Sequence, residues 1–207
     1  MPDSHLLATI RWESTWPLVL TSLAIMGSPG PATVSLTAAG SAYGVRRSFA
    51  YLIGVIVGSW IVLVGVGSGI TATLLAVPAM RPVLIALSAA YILRLAYHIA
   101  TAPPLGAQSA TSAAPSLAGG TLLGVANPKG WVSMAAVFAS THVANSAATD
   151  AAAKTAVLAV MVVLILATWL MLGAAIAPLL RDPHRGRIVN AALATALIGA
   201  TAFAVLH

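Results

Sequence analysis

The sequence predicts an all-α integral membrane protein of six transmembrane helices, read as two inverted three-helix repeats. Three observations lead there. The first is composition: of 207 residues, 59% are hydrophobic and only 7% charged, where a soluble domain has ~45–50% apolar and ~25% charged residues. A chain so poor in charge cannot cover its surface with polar side chains in water, and lipid is the solvent that tolerates it. The second is the division of the chain into six apolar runs, each near the ~20 residues that a spanning helix needs. The third is a pair of proline breaks, one in the first run of each half.

The runs are 16–39, 49–75, 83–100, 117–140, 156–177 and 188–206. Gly40, Tyr43, Gly44, Arg46 and Arg47 end the first. Pro78, Arg81 and Pro82 separate the second from the third. The segment 145–150, from Asn145 to Asp150, separates the fourth from the fifth. Arg181, Asp182, Pro183, Arg185 and Arg187 lie between the fifth and the sixth. Trp12, Trp16 and Tyr43 fall near predicted ends, where amphipathic rings favour the headgroup level. The N-terminus does not read as a signal peptide, since Asp3 and Glu13 flank Arg11 and the first run is long enough to span.

The longest connector, 101–116, is rich in Ala, Pro, Ser and Thr and carries no charge, so it reads as a flexible linker. It divides the chain into repeats at 1–103 and 104–207. Three spans per half, an odd number, would place the second half upside down relative to the first. Arg46, Arg47, Arg181, Arg185 and Arg187 fall on one side and Arg11, Arg81 and Lys154 on the other. The larger group favours the cytoplasm, with both termini outside.

Each break has a specific chemistry. The first is Ser28-Pro29-Gly30-Pro31 and the second Asn127-Pro128-Lys129-Gly130. Proline has no N–H and its ring clashes with the preceding turn, so a helix kinks or stops there. Ser28 and Asn127 each resemble a cap residue before proline at the first helical position. A helix restarting there points free N–H groups and a partial positive charge into the membrane centre. Polar backbone at that depth must line a cavity or be buried in protein, and paired breaks in matching positions point to a transporter's substrate site. Lys129 adds to this, because an ammonium at mid-span costs ~2.5–3.5 kcal/mol on insertion scales. All four acids, Asp3, Glu13, Asp150 and Asp182, lie outside the predicted spans or at their ends, which makes a substrate carboxylate its expected partner. The candidate substrate-binding residues are therefore Ser28, Pro29, Gly30, Pro31, Asn127, Pro128 and Lys129. A plain proline kink satisfied by a neighbouring helix is the simpler account of one break alone. Two matched breaks, one with a lysine, favour the functional one.

Other features read as structural. Gly54, Gly58, Gly65 and Gly69 fall on one face of the second span, within roughly a 60° arc at 100° per residue, and Gly120 and Gly124 repeat the spacing in the fourth. Such a stripe lets another helix approach closely; an intramolecular contact and a homodimer seam both fit it. Arg94 is expected to snorkel to the headgroups. The absence of cysteine excludes disulfides and thiol chemistry. Five scattered histidines give no metal site, and no cofactor is expected. The net charge of +6 does not indicate nucleic acid, because no basic run is interleaved with aromatics.

These motifs, taken together, resemble those of the LysE/RhtB family of amino-acid exporters over nearly the whole chain. Ser28-Pro29-Gly30-Pro31 is similar to that family's proline-glycine-proline motif, and Gly44, Gly54 and Gly58 to the glycine-rich segment after it. Ala89-Ala90-Tyr91-Ile92 is similar to its Gly-Ala-x-Tyr-Leu region, and Ala126-Asn127-Pro128-Lys129 to its Asn-Pro-Lys motif. The resemblance implies secondary export of amino acids or related small metabolites across the bacterial cytoplasmic membrane. Ala89 and Ala96 stand where members often carry Gly, and the neighbourhood of Ala167 is apolar where many have an acid. That departure argues against proton-coupled antiport by the usual route, leaving a titrating Lys129 or the membrane potential as sources of drive.

The expected activity is alternating access around the two breaks, with a small-molecule substrate, the lipid bilayer and a homodimer as partners. A membrane enzyme or redox conduit would need acid–base pairs, thiols or metal ligands within the spans, and there are none. A cation transporter would need intramembrane carboxylates. The alternatives that stay open are a non-transporting packing or assembly subunit and a transporter of another small solute.

Overall fold

The computed structural model describes residues 12–69 and 115–180, together with isolated helical positions at 86, 90, 93, 94, 97, 188, 191, 192, 195, 196, 198 and 199. Most of the predicted spans at 83–100 and 188–206, and the linker at 101–116, lie outside the described residues. Arg94, expected at the headgroups, is helical and exposed. The described elements are helices α1 (Trp12–Met26), α2 (Pro31–Gly67), α3 (Leu117–Ala126), α4 (Pro128–Ser140) and α5 (Ala147–Ile176), the last closing in a 3-10 turn, Ala177–Leu180. No strand occurs among them. Two of these helices, α2 and α5, are long and apolar enough to cross a membrane.

Local sequence explains where the helices stop. The first predicted span is two helices, α1 and the start of α2, separated at 27–30. The fourth is α3 and α4, separated at Asn127 alone. In both places proline is the first residue of the restarting helix. Straight, the 37 residues of α2 would run about 56 Å, far beyond the ~30 Å hydrocarbon core. They turn sharply at Gly44, where φ is 74° and ψ 169°, a conformation open to glycine and strained for any other residue. Ser48 Oγ ties the turn by donating to the Ala39 carbonyl at 2.9 Å. A Cβ added at Gly44 meets nothing within 4 Å, so Gly44→Ala tests backbone conformation without steric interference. It is expected to cost about 1–3 kcal/mol, read as a lower thermal midpoint in detergent.

The core lies where α2 packs on α5 and α3. The glycine stripe is spent there, inside the chain. A Cβ at Gly54 would fall on the Leu117 carbonyl, and one at Gly58 on the Thr121 carbonyl. Reciprocally, a Cβ at Gly124 would stand 2.8 Å from Gly58 Cα. Backbone therefore meets backbone, the close approach that small residues permit in lipid. Gly40 and Gly173 make a second such crossing between α2 and α5. Gly69 does not extend the stripe: it follows the end of α2 at φ 75°, with nothing near its Cβ position. On the outer faces, Leu20, Trp60, Ile61, Val64, Leu164 and Met171 are exposed, as side chains that face lipid should be.

One expectation is corrected here. Asp150 and Lys154 were placed in and beyond a loop, but α5 begins at Ala147 and both are buried, 7% and 2% exposed. Ser146 caps the helix by accepting from the Thr149 N–H, and the alanines that follow are strong helix formers. Lys154 Nζ lies 2.7 Å from Asp150 Oδ2 and donates to the Phe138 carbonyl at 2.8 Å. Asp150 Oδ1 accepts from the Val143 and Ala144 N–H groups. A charge pair one helical turn apart thus clamps the end of α4 and the connector to the start of α5. Its burial requires this full set of partners.

Candidate functional site

The two breaks meet. α1 ends at Met26, and its last carbonyls and those of the break have no helical partner. Ser28 Oγ donates to the Ile25 carbonyl at 2.8 Å. Trp169 Nε1, from α5, donates to the Gly27 carbonyl at 3.1 Å. The Ser28 and Pro29 carbonyls are reached from the other break. Lys129 Nζ donates to the carbonyl of Ser28, to Ser28 Oγ at 2.8 Å and to the Pro29 carbonyl at 3.1 Å. These partners lie about a hundred residues away in sequence.

The electrostatics explain the direction in which Lys129 points. It is the second residue of α4, where the positive end of the helix disfavours an ammonium. The C-terminal end of α1, rich in free carbonyls, favours one. Lys129 therefore leaves its own helix end and caps the other. Its stem crosses Gly30, where a Cβ would come within 2.5 Å of Lys129 Cδ. Gly30 itself has extended backbone, φ −168° and ψ 179°, which any residue adopts, so room for the lysine accounts for the glycine. The Gly30 N–H donates to Thr33 Oγ1 at 2.8 Å, which opens the first turn of α2.

The second break is less completely satisfied. Trp131 Nε1 donates to the Val125 carbonyl at 2.7 Å, as Trp169 does at the first break. Asn127 stands at the cap position of α4, yet its side chain makes no cap bond. It is 7% exposed, and its Oδ1 is buried without a hydrogen-bond partner among the described residues.

Both breaks open on one cavity of about 50 Å³, room for roughly three to five waters at ~10–15 Å³ each. Lys129, Asn127, Gly30, Thr33, Ser59 and Ser133 form its polar side. Met26, Met134, Val162, Ile165 and Leu166 form an apolar wall from α1, α4 and α5. Of the seven candidate residues, Gly30, Asn127 and Lys129 line the cavity, while Ser28 and Pro29 hold the Lys129 ammonium. Pro31 and Pro128 begin the two helices. The partners of Lys129 among the described residues are backbone carbonyls and a hydroxyl, which the sequence did not indicate. Sequence reasoning missed Trp169 and Trp131, the wall of α5 and Ser59. The signal for the tryptophans was slight, a lone indole inside each apolar run.

The family described as LysE type translocator matches residues 23–207. Comparison with curated proteins gives no match, and neither does comparison with solved structures.

Proposed function

The chain belongs to the LysE type translocator family, a family of membrane transporters of small solutes and not of enzymes, and from that premise we propose that it exports amino acids or closely related metabolites. The reading places it as a multi-pass protein of the bacterial cytoplasmic membrane, with six spans in two inverted repeats at 1–103 and 104–207. In its support, the two described segments share one order: short helix, break, helix, then a turn or connector and a long helix.

The observation that carries the proposal is the Lys129 ammonium, held between two helix breaks at the wall of a cavity. Neutral carbonyls and a hydroxyl hold it now. A carboxylate adds the attraction of a full opposite charge, which no carbonyl or hydroxyl supplies, so a substrate carboxylate entering the cavity draws Lys129 off the first break. The Ser28 and Pro29 carbonyls are then released, and α1 loses its tie to α4. Binding is thereby linked to relative movement of the halves, as alternating access requires. The cavity as it stands is smaller than an amino acid, and withdrawal of the lysine stem from Gly30 enlarges it. The assembly-subunit alternative is weakened because Gly54 and Gly58 are already covered by α3.

The test is efflux from proteoliposomes loaded with labelled amino acids. Selective, saturable efflux of a subset is the expected result. Protein shown to be folded that moves none of them would overturn the reading and turn attention to another solute class.

A further inference from the structure

An amino acid has two charged ends and a side chain, and Lys129 accounts for one of these. The carboxylate subsite is the premise taken from the exporter reading above. The other two are legible from the same cavity.

Asn127 Oδ1 is a buried acceptor with no partner among the described residues, and Asn127 is one of the residues that line the cavity with Lys129. An unpaired buried acceptor costs free energy until a donor arrives. Asn127 does not serve as a helix cap, so local structure does not account for it. A donor on the ligand does. The third part of the ligand meets Met26, Met134, Val162, Ile165 and Leu166, which carry no charge and no hydrogen-bonding group beyond thioether sulfur.

A basic side chain would lay a second cation on this wall, which offers neither a carboxylate nor the oxygen acceptors that Lys129 finds at the first break and the ligand's own ammonium finds at Asn127, and a cation so placed is costly. The chain has four acids. Asp150 is paired with Lys154 at the start of α5, and Glu13 is exposed on the first turn of α1. Asp3 precedes α1 and Asp182 follows the end of α5. The segments 70–114 and 183–207 contain no acid at all. An acidic side chain would in turn need a second cation, and Lys129 is the only one lining the cavity among the described residues.

We propose that this cavity takes the zwitterion of a neutral amino acid with an aliphatic or thioether side chain, its ammonium donating to Asn127 Oδ1 and its side chain lying on the methionine-edged wall. The two methionines, flexible and polarisable, let the wall accept side chains of several shapes. Discrimination among leucine, isoleucine, valine and methionine is therefore shallow, well below the ~10–200-fold that one methylene is worth in a rigid pocket. Discrimination against charged side chains is steep.

The experiment is counterflow into proteoliposomes containing the full chain, comparing leucine, isoleucine, valine and methionine with lysine, arginine, aspartate and glutamate. The 2-keto acid corresponding to leucine is included because it keeps the carboxylate and the side chain but lacks the ammonium. Neutral aliphatic substrates are expected to exceed basic and acidic ones by about tenfold or more, a difference of ~1.4 kcal/mol. The keto acid is expected to fall below leucine by a similar factor. In Asn127→Leu, the leucine-to-keto-acid ratio should collapse toward unity while the keto acid is still carried. Lysine or arginine moving as fast as leucine would overturn the assignment while leaving the exporter reading intact. So would an Asn127→Leu variant that keeps the wild-type ratio. Failure of every amino acid to move would instead remove the exporter reading, and this inference with it. Because the wild-type panel alone can refute the substrate class, the inference does not depend on the variant folding.

Discussion

Lys129→Met is expected to abolish transport and to leave the protein folded. The methionine stem fills nearly the same volume across Gly30, so packing there is kept. What disappears is the ammonium, and with it the hydrogen bonds to Ser28 and Pro29. Leaving the half-buried Ser28 carbonyl unpaired costs about 1–3 kcal/mol, and Pro29 is exposed, so water can reach its carbonyl. That loss is offset by no longer holding an ammonium at mid-span, itself ~2.5–3.5 kcal/mol unfavourable on insertion scales. The two are of similar size and opposite sign, so the thermal midpoint in detergent should shift by only a few degrees. Transport has no such compensation under the proposed mechanism, in which the substrate carboxylate would lose its counter-charge in a low-dielectric cavity. Efflux rate and thermal midpoint, measured on the same preparation, separate the effects. A variant that transports normally would show that the lysine is only a structural tie between α1 and α4.

The second large effect is expected of Gly58→Leu, which should strongly destabilise the fold and abolish transport. A Cβ at Gly58 would fall on the Thr121 carbonyl and stand 2.9 Å from Gly124 Cα and from Val125 N. These are backbone atoms of the facing helix and cannot rotate aside. The helices must separate, and overpacking of that kind costs about 1–3 kcal/mol and sometimes more. The bulk of leucine against main chain puts this variant at or beyond the upper end. The displacement also travels, since α3 ends at Ala126 and passes directly into Asn127 and Lys129. Poor monodispersity and a midpoint lowered by well over five degrees are expected, with Gly58→Ala intermediate. If this seam instead joined two copies of the chain, Gly58→Leu would yield a well-folded monomer at an unchanged midpoint. Size-exclusion chromatography beside thermal unfolding distinguishes these results.

Several features were legible in the residues because their causes are local. A proline lacks its N–H wherever it sits, so the ends of α1 and α3 follow from Pro29, Pro31 and Pro128 without knowledge of any neighbour. Gly44 lies in the segment expected to end the first span, and its positive φ is a property of that one residue. The poverty of charge identifies lipid as the solvent whatever the packing. Lys129 stood out for a similar reason, as a charge in the middle of an apolar run.

What lies against these residues was not legible. A stripe of glycines shows that something approaches closely, but periodicity along one helix cannot say whether the visitor is α3 of the same chain or a helix of another copy. Asp150 and Lys154 looked like loop charges because a helical register four residues apart gives no sign of burial. The acceptors of Lys129 lie about a hundred residues away in sequence, and the orphaned Asn127 Oδ1 is defined by the absence of a neighbour in space. Local chemistry decides where a helix begins and ends. Long-range packing decides which carbonyl an ammonium finds, which acceptor is left for a ligand, and hence what the cavity between the breaks can hold.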